Sequence, residues 1–74
     1  MSAAFLIGDR VRLHSEPPYL KTADTMPMLR PGDLIPVGKQ GVITAQKPGG
    51  YWTVKFDQGS FLIDETYLEK VTEF

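Results

Sequence analysis

Short stretches of the chain alternate apolar and polar residues, the pattern of β-strands with one face on a core and the other in water. The clearest is YWTVKF, residues 51–56, where Trp52, Val54 and Phe56 share one face. Four further segments are predicted as strands: DRVRLH at 9–14, GVITAQ at 41–46, SFLID at 60–64 and LEKV at 68–71. Five short strands predict an all-β protein.

Turn residues separate the later strands at short intervals. Pro48 and Gly49 suit the second and third positions of a type II turn, because proline fixes a negative φ and glycine accepts a positive one. Gly59 suits the left-handed position of a short bulged hairpin loop. Asp64 can cap one tight helical turn over residues 65–67. The second half of the chain therefore reads as two tight hairpins followed by a 3-10 turn and a last strand.

This order of elements predicts a small five-stranded SH3-like barrel with a long first loop of the RT type. A barrel leaves few sheet edges exposed and fills its interior with the alternating large residues of each strand. The predicted interior comprises Val11, Leu13, Val42, Val54, Phe56, Phe61, Ile63, Leu68 and Val71. For Trp52 the sequence allows two positions, in the interior or partly exposed at the barrel edge. Residues 1–74 are predicted to form one domain, with an ordered core over residues 8–72.

The stretch from Ser15 to Pro36 has no such alternation and holds five of the six prolines. Prolines argue against a regular helix or a central strand, so the sequence predicts a long loop. Loops longer than about 12 to 15 residues are uncommon in compact domains and are often functional. This loop is therefore the first place to look for a binding surface.

Large apolar groups on a proline-stiffened frame suit recognition of a partner, since little entropy is lost when the loop orders. Methionine adapts to irregular surfaces, and tyrosine and arginine are enriched at binding hot spots. The predicted partner-binding residues are Tyr19, Lys21, Met26, Met28, Leu29 and Arg30. In the alternative interpretation the loop folds back, and Leu20, Met28 or Leu29 fills an open end of the barrel.

Composition limits how the domain is stabilised and where it works. The chain has no cysteine and a single histidine, His14, which the alternation places at an exposed strand end. Hydrophobic packing must then hold a domain of 74 residues without disulfides or a structural metal. No stretch resembles a signal peptide or reaches the roughly 18 apolar residues of a membrane span. We expect a cytoplasmic monomer that does not insert into membranes.

The basic residues are spread singly along the chain, and the sequence pI is about 5.7. A nucleic-acid-binding protein usually carries a clustered basic stripe, so no nucleic acid is expected as a partner. Arg10, Arg12, Lys47 and Lys55 would nevertheless form a sparse positive face, with Tyr51 as an aromatic platform. An SH3-like nucleic-acid-binding or complex-docking subunit is therefore the alternative function.

The sequence offers little for catalysis. It has no Ser, His and Asp set, no phosphate-binding glycine loop before a helix and no cluster of metal ligands. We expect a binding module rather than an enzyme, with no cofactor and no metal. Recognition of proline-rich peptides ranks low among the binding functions, because it needs a groove lined by aromatic residues and the chain has few acidic residues in the long loop.

Five runs of sequence resemble one family over nearly the whole chain: GDRVRL at 8–13, PPYLKTAD at 17–24, MPMLRP at 26–31, PGGYWTVKF at 48–56 and FLIDETYLEKV at 61–71. They are similar to the cyanobacterial SipA family, small SH3-like regulators that interact with the sensor histidine kinase NblS. The resemblance implies a noncatalytic adaptor that binds the ATP-binding region of the kinase and raises its autophosphorylation in high-light, nutrient and cold stress. It also implies contact with the small regulator PipX in some members.

Overall fold

A computed structural model of the chain describes residues 5–71. Its elements, in chain order, are β1 (Arg10–Leu13), β2 (Tyr19–Thr22), β3 (Leu29–Pro31), a first 3-10 turn (Gly32–Leu34), β4 (Gln40–Lys47), β5 (Tyr51–Phe56), β6 (Gly59–Asp64), a second 3-10 turn (Glu65–Tyr67) and β7 (Leu68–Lys70). The protein is all-β, as the alternation predicts.

The strands form one antiparallel sheet in the order β3-β2-β6-β5-β4-β1-β7. Within residues 5–71 no pairing joins β3 to β7, so these two strands are the edges of an open sheet. The five predicted strands correspond to β1, β4, β5, β6 and β7. The sheet therefore has seven strands rather than five.

Both additional strands lie in the stretch that was predicted to be a long loop without strands, and that prediction is wrong. Strand β2 lies between β3 and β6, so it is a central strand. The prolines do not prevent this, because Tyr19–Thr22 contains none of them. Pro31 ends β3 at the edge of the sheet, where a strand tolerates the loss of a backbone N–H.

The predicted turns are found. Lys47 pairs with Tyr51 across the tight β4–β5 hairpin, and Gly49 takes a φ of 81°. The Asp64 side chain caps the second 3-10 turn by accepting a hydrogen bond of 2.9 Å from the backbone N–H of Thr66. Local turn chemistry thus determines where β5 begins, where β6 ends and where β7 begins.

The core lies on one face of the sheet. Its buried apolar residues are Phe5, Val11, Leu13, Leu20, Ile35, Ile43, Trp52, Val54, Phe56, Phe61, Ile63 and Leu68. Seven of the nine predicted interior residues are among them, and Trp52 is interior as well. Its indole packs edge to face against the Phe5 ring, with the ring centroids 5.7 Å apart. Val71 is only half-buried.

The assignment of Val42 to the interior is wrong, because the chain places Gly41 and Ile43 on the inner face of β4. A Cβ atom on Gly41 would lie 2.8 Å from the Val54 side chain and 2.9 Å from the Phe56 ring. The inner position therefore holds a glycine, which has no side chain to reveal the alternation. Val42 faces outward, paired with Arg10 on one side and Lys55 on the other.

Candidate functional site

The β2–β3 hairpin positions most of the predicted partner-binding residues. Its register pairs Tyr19 with Pro31 and Lys21 with Leu29. Where β2 ends, the Thr22 N–H donates to the Met28 carbonyl at 2.9 Å, and the Thr22 hydroxyl accepts from the Met28 N–H at 2.8 Å. These two bonds fix the start of the connection between the strands. We call residues 23–29, which include Met28 and Leu29, the hairpin tip.

The hairpin tip exposes three large apolar side chains. Met26 is 83% exposed, Leu29 67% and Met28 54%. The alternative in which Met28 or Leu29 fills an open end of the fold is thus wrong, whereas Leu20, the third candidate, is 1% exposed and belongs to the core. Three exposed large apolar side chains within four consecutive residues make the tip a candidate interaction site.

The six predicted residues do not form one patch. Because side chains alternate across a strand and cross-strand partners share a face, Tyr19, Lys21 and Leu29 lie on the outer face of the hairpin. Arg30 pairs with Leu20 and lies on the opposite face. There it lines a separate depression together with Leu34. Met26 lies in the hairpin tip, outside both strands.

The outer face of the hairpin continues into a groove of about 280 Å³ that sequence reasoning missed. Three tyrosines line it, each from a different element: Tyr19 from β2, Tyr51 from the start of β5 and Tyr67 from the second 3-10 turn. The remaining lining residues are Pro17, Pro18, Leu20, Lys21, Leu62, Ile63 and Asp64. We call this feature the tyrosine groove.

Tyr51 carries a sequence signal that a search for partner-binding residues could have used. Tyr51 occupies the non-core phase of a strand whose other face holds Trp52, Val54 and Phe56, so an aromatic ring is placed where a polar residue is usual. The register pairs Tyr51 with Asp64, the residue that caps the turn carrying Tyr67. Only the sheet pairing brings these segments together with Tyr19.

Acidic partners neutralise several of the basic residues. Arg12 forms an ion pair with Glu69 across β1 and β7. The Lys39 ammonium lies 3.1 Å from a carboxylate oxygen of Asp57. The Lys70 ammonium lies 3.5 Å from Asp9. The positive face anticipated on Arg10, Arg12, Lys47 and Lys55 is therefore weakened at Arg12.

Metal-ligand geometry is lacking in residues 5–71, where no group of three or more His, Cys, Asp or Glu side chains could hold a metal ion. His14 is exposed, as predicted, and its backbone N–H donates to the Tyr67 carbonyl at 2.9 Å. Over the same range no helix is long and apolar enough to cross a membrane.

These observations define the class of protein as a small all-β domain that exposes an apolar hairpin beside a tyrosine-lined groove. A family model described as "CRR42-like: Protein CHLORORESPIRATORY REDUCTION 42-like" matches residues 7–68, and the chain belongs to this CRR42-like family. The matched range includes both the hairpin and the groove.

A curated relative supports the same assignment. The chloroplastic protein CHLORORESPIRATORY REDUCTION 42 of Arabidopsis thaliana is 33% identical to this chain over 64 residues. The alignment covers 85% of this chain and 53% of the relative, so the chain spans about half the length of that protein.

Proposed function

We propose that the chain is a noncatalytic adaptor that binds a protein partner through the β2–β3 hairpin. The observation that carries this proposal is the exposure of Met26, Met28 and Leu29, each more than half exposed at the end of one hairpin. A domain of this size needs most of its apolar residues for its core. Three large apolar side chains on the surface therefore favour a contact with another protein.

The partner proposed is the ATP-binding region of a sensor histidine kinase similar to NblS, with the small regulator PipX as a second partner. This choice rests on the resemblance to the SipA family, and with it the proposed place of action is the cytoplasm. An adaptor raises autophosphorylation only if it binds the active arrangement of the kinase more tightly than the inactive one. The proposal therefore includes a preference for the active arrangement.

The fold proposed is a variant of the SH3-like barrel. It is supported by the two tight hairpins β4–β5 and β5–β6 and by the 3-10 turn that directly precedes the last strand. In this interpretation the β2–β3 hairpin is the RT-type loop, folded into two strands of its own. Long-range nuclear Overhauser contacts between β3 and β7 would test whether the sheet closes in solution.

A complex-docking subunit is the second candidate function. Membership in the CRR42-like family favours it, because the Arabidopsis relative is named for chlororespiratory reduction rather than for a kinase. The same hairpin would then contact a different protein. The nucleic-acid-binding version of this alternative has less support, since ion pairs with acidic residues engage Arg12, Lys39 and Lys70.

The test compares one variant in the hairpin with a control of matched exposure. Met28→Asp is expected to weaken binding to the kinase ATP-binding region by at least about ten-fold, because it places a charge in an apolar contact. Val37→Asp is the control, since Val37 is 55% exposed against 54% for Met28 and lies outside the hairpin. Calorimetric titration measures both affinities, and circular dichroism confirms that both variants are folded.

Two results would count against parts of the proposal. Equal affinity of Met28→Asp and wild type would exclude the hairpin tip as the interface. A lack of binding by the wild-type protein would remove the kinase as partner and leave the docking subunit. Arg30→Glu tests the other face of the hairpin, because Arg30 and Leu29 lie on opposite faces of β3. This variant should weaken binding only if the partner wraps around the edge of the sheet.

A further inference from the structure

The tyrosine groove is a second surface, which shares strand β2 with the hairpin but contains none of Met26, Met28 and Leu29. Tyr19 is 53% exposed and Tyr51 42%, while Tyr67 packs partly against the core. Tyrosine residues from three elements line this one groove, together with Leu62. Tyrosine combines a large apolar ring with a hydroxyl donor, the composition of a surface that binds another chain.

The sheet itself limits what kind of chain fits the groove. Its strands β2, β6 and β5 are each paired on both sides, so an occupant cannot add to them as a further strand. A bound segment must therefore do without ladder hydrogen bonds. A polyproline II segment meets this condition, because it has no internal hydrogen bonds and presents its carbonyls outward as acceptors.

Ring chemistry also favours proline. Pyrrolidine rings pack against aromatic faces, and the preformed polyproline II helix loses little entropy when it binds an aromatic-lined groove. The hydroxyls of Tyr19, Tyr51 and Tyr67 are donors available to the carbonyls of such a segment. The depression beside Arg30 differs in this respect, because its lining holds a single aromatic residue, Phe61.

Negative charge near the Tyr51 end of the groove favours a ligand with a basic residue. Asp64 is the register partner of Tyr51, and the Glu65 carboxylate lies beside Gly50, the residue before Tyr51. A Cβ atom on Gly50 would be 3.4 Å from Glu65 Oε1. Within the described residues Glu65 has no ion-pair partner. A basic residue flanking the prolines would supply one.

We propose that the tyrosine groove binds an extended, proline-rich segment of a partner protein that carries a basic residue at the Tyr51 end. This inference goes beyond the proposed function, because it depends neither on the hairpin tip nor on the kinase. The sequence alone made recognition of proline-rich peptides one of the least favoured binding functions, and the tyrosine groove now supports it. The aromatic lining that such recognition needs is assembled from three separate segments of the chain.

The experiment titrates isotope-labelled protein with a synthetic peptide of one arginine followed by eight prolines. A control peptide replaces the prolines with alternating glycine and serine, which keeps the charge and removes the polyproline II conformation. The expected result is that amide signals of Tyr19, Tyr51 and Tyr67 shift with the proline peptide and not with the control. Equal shifts with both peptides, or none at millimolar peptide, would overturn the proposal.

Variants assign the contact to the groove. Tyr51→Ala is expected to weaken binding of the proline peptide about 10- to 30-fold, the usual effect of removing a central aromatic contact. Glu65→Gln should weaken it about 2- to 5-fold, the effect of one exposed ion pair. Met26→Ala serves as the control at the hairpin tip and should leave peptide affinity unchanged. If Met26→Ala were as damaging as Tyr51→Ala, the peptide would not be in the groove.

RNA is the competing occupant, because bases also stack on tyrosine. The carboxylates of Asp64 in the groove lining and of Glu65 beside Gly50 disfavour it. The same titration with a single-stranded oligouridine at low salt decides between the two. Binding of the RNA with loss in Tyr51→Ala, together with no binding of the proline peptide, would overturn the proposal in favour of a nucleic-acid surface.

Discussion

The base and the tip of the β2–β3 hairpin use the same kind of residue in opposite ways. At the base, Leu20 is 1% exposed and packs in the core. At the tip, Met26 is 83% exposed and Leu29 67%. One proline-rich segment thus anchors itself to the sheet at one end and displays apolar side chains at the other. Apolar composition alone does not tell these two roles apart, whereas the pairing of β2 with β6 does.

The anchored end is also the tighter one. Gly32 is buried just after β3, and a Cβ atom there would lie 1.9 Å from the Pro17 carbonyl oxygen. Pro17 is buried as well, so the two ends of the hairpin close against each other at its base. The tip is held by the backbone of Thr22 and Met28 and by the Thr22 hydroxyl. Packing should therefore dominate at the base, and binding at the tip.

The largest effect is expected from Leu20→Ala. Removal of a fully buried leucine side chain leaves a cavity and should lower the free energy of unfolding by about 2 to 5 kcal/mol. Leu29→Ala is the matched control on β3, next to the register partner of Leu20 but on the outer face. It should change the free energy of unfolding by less than about 0.5 kcal/mol. Urea denaturation of both variants gives the comparison. Similar losses would show that the tip packs as the base does.

Gly32→Ala should come next, with a loss of about 1 to 3 kcal/mol, because the new methyl group has to displace the backbone at Pro17. Gly38→Ala is a useful comparison, since nothing lies within 4 Å of a Cβ at Gly38 and only its positive φ of 95° opposes the change. Thermal unfolding measures both. A smaller loss for Gly32→Ala than for Gly38→Ala would contradict the close contact at the hairpin base.

Asp64→Ala should cost about 0.5 to 2 kcal/mol, because the Thr66 N–H loses its capping acceptor. Asp64→Asn keeps a side-chain oxygen and should recover most of this loss. The same substitution should disturb the turn that carries Tyr67, so the Tyr67 amide signal is expected to shift more in Asp64→Ala than in Asp64→Asn. Identical unfolding curves for the two variants would show that the cap does not stabilise the turn.

The smallest effect is expected from Met26→Gln, which exchanges an exposed apolar side chain for a polar one of similar length. The free energy of unfolding should stay within about 0.5 kcal/mol of wild type, the usual range for surface substitutions. Chemical denaturation at two protein concentrations would measure it and would also reveal self-association through the tip. A loss of more than about 2 kcal/mol would mean that Met26 packs in the folded protein.

Much of the fold could be predicted from the sequence, because alternation and turn residues are local. The Trp52, Val54 and Phe56 face of β5 and the Asp64 cap are read from neighbouring residues. Which residues of β4 face the core could not be predicted in this way, because the inward-facing residue at position 41 is a glycine. Strand β2 was missed because nearby prolines concealed a proline-free run of four residues.

The candidate site was predicted in part for a similar reason. The hairpin tip is one continuous segment, so its apolar residues attract notice in the sequence. The tyrosine groove depends on the sheet order, which places Tyr19 of β2 beside β6 and, through it, near Tyr51 of β5. Long-range pairing of this kind leaves no signal in any one segment. The opposite faces of Leu29 and Arg30 follow from the register, which the sequence alone did not provide.

The central claim is that the hairpin tip is displayed for a partner and contributes little to folding. Its most direct test is a calorimetric titration of the kinase ATP-binding region with wild type and with a variant in which Met26, Met28 and Leu29 are all alanine. We predict at least about ten-fold weaker binding with an unfolding free energy within about 1 kcal/mol of wild type. Unchanged affinity in the folded triple variant would contradict the claim.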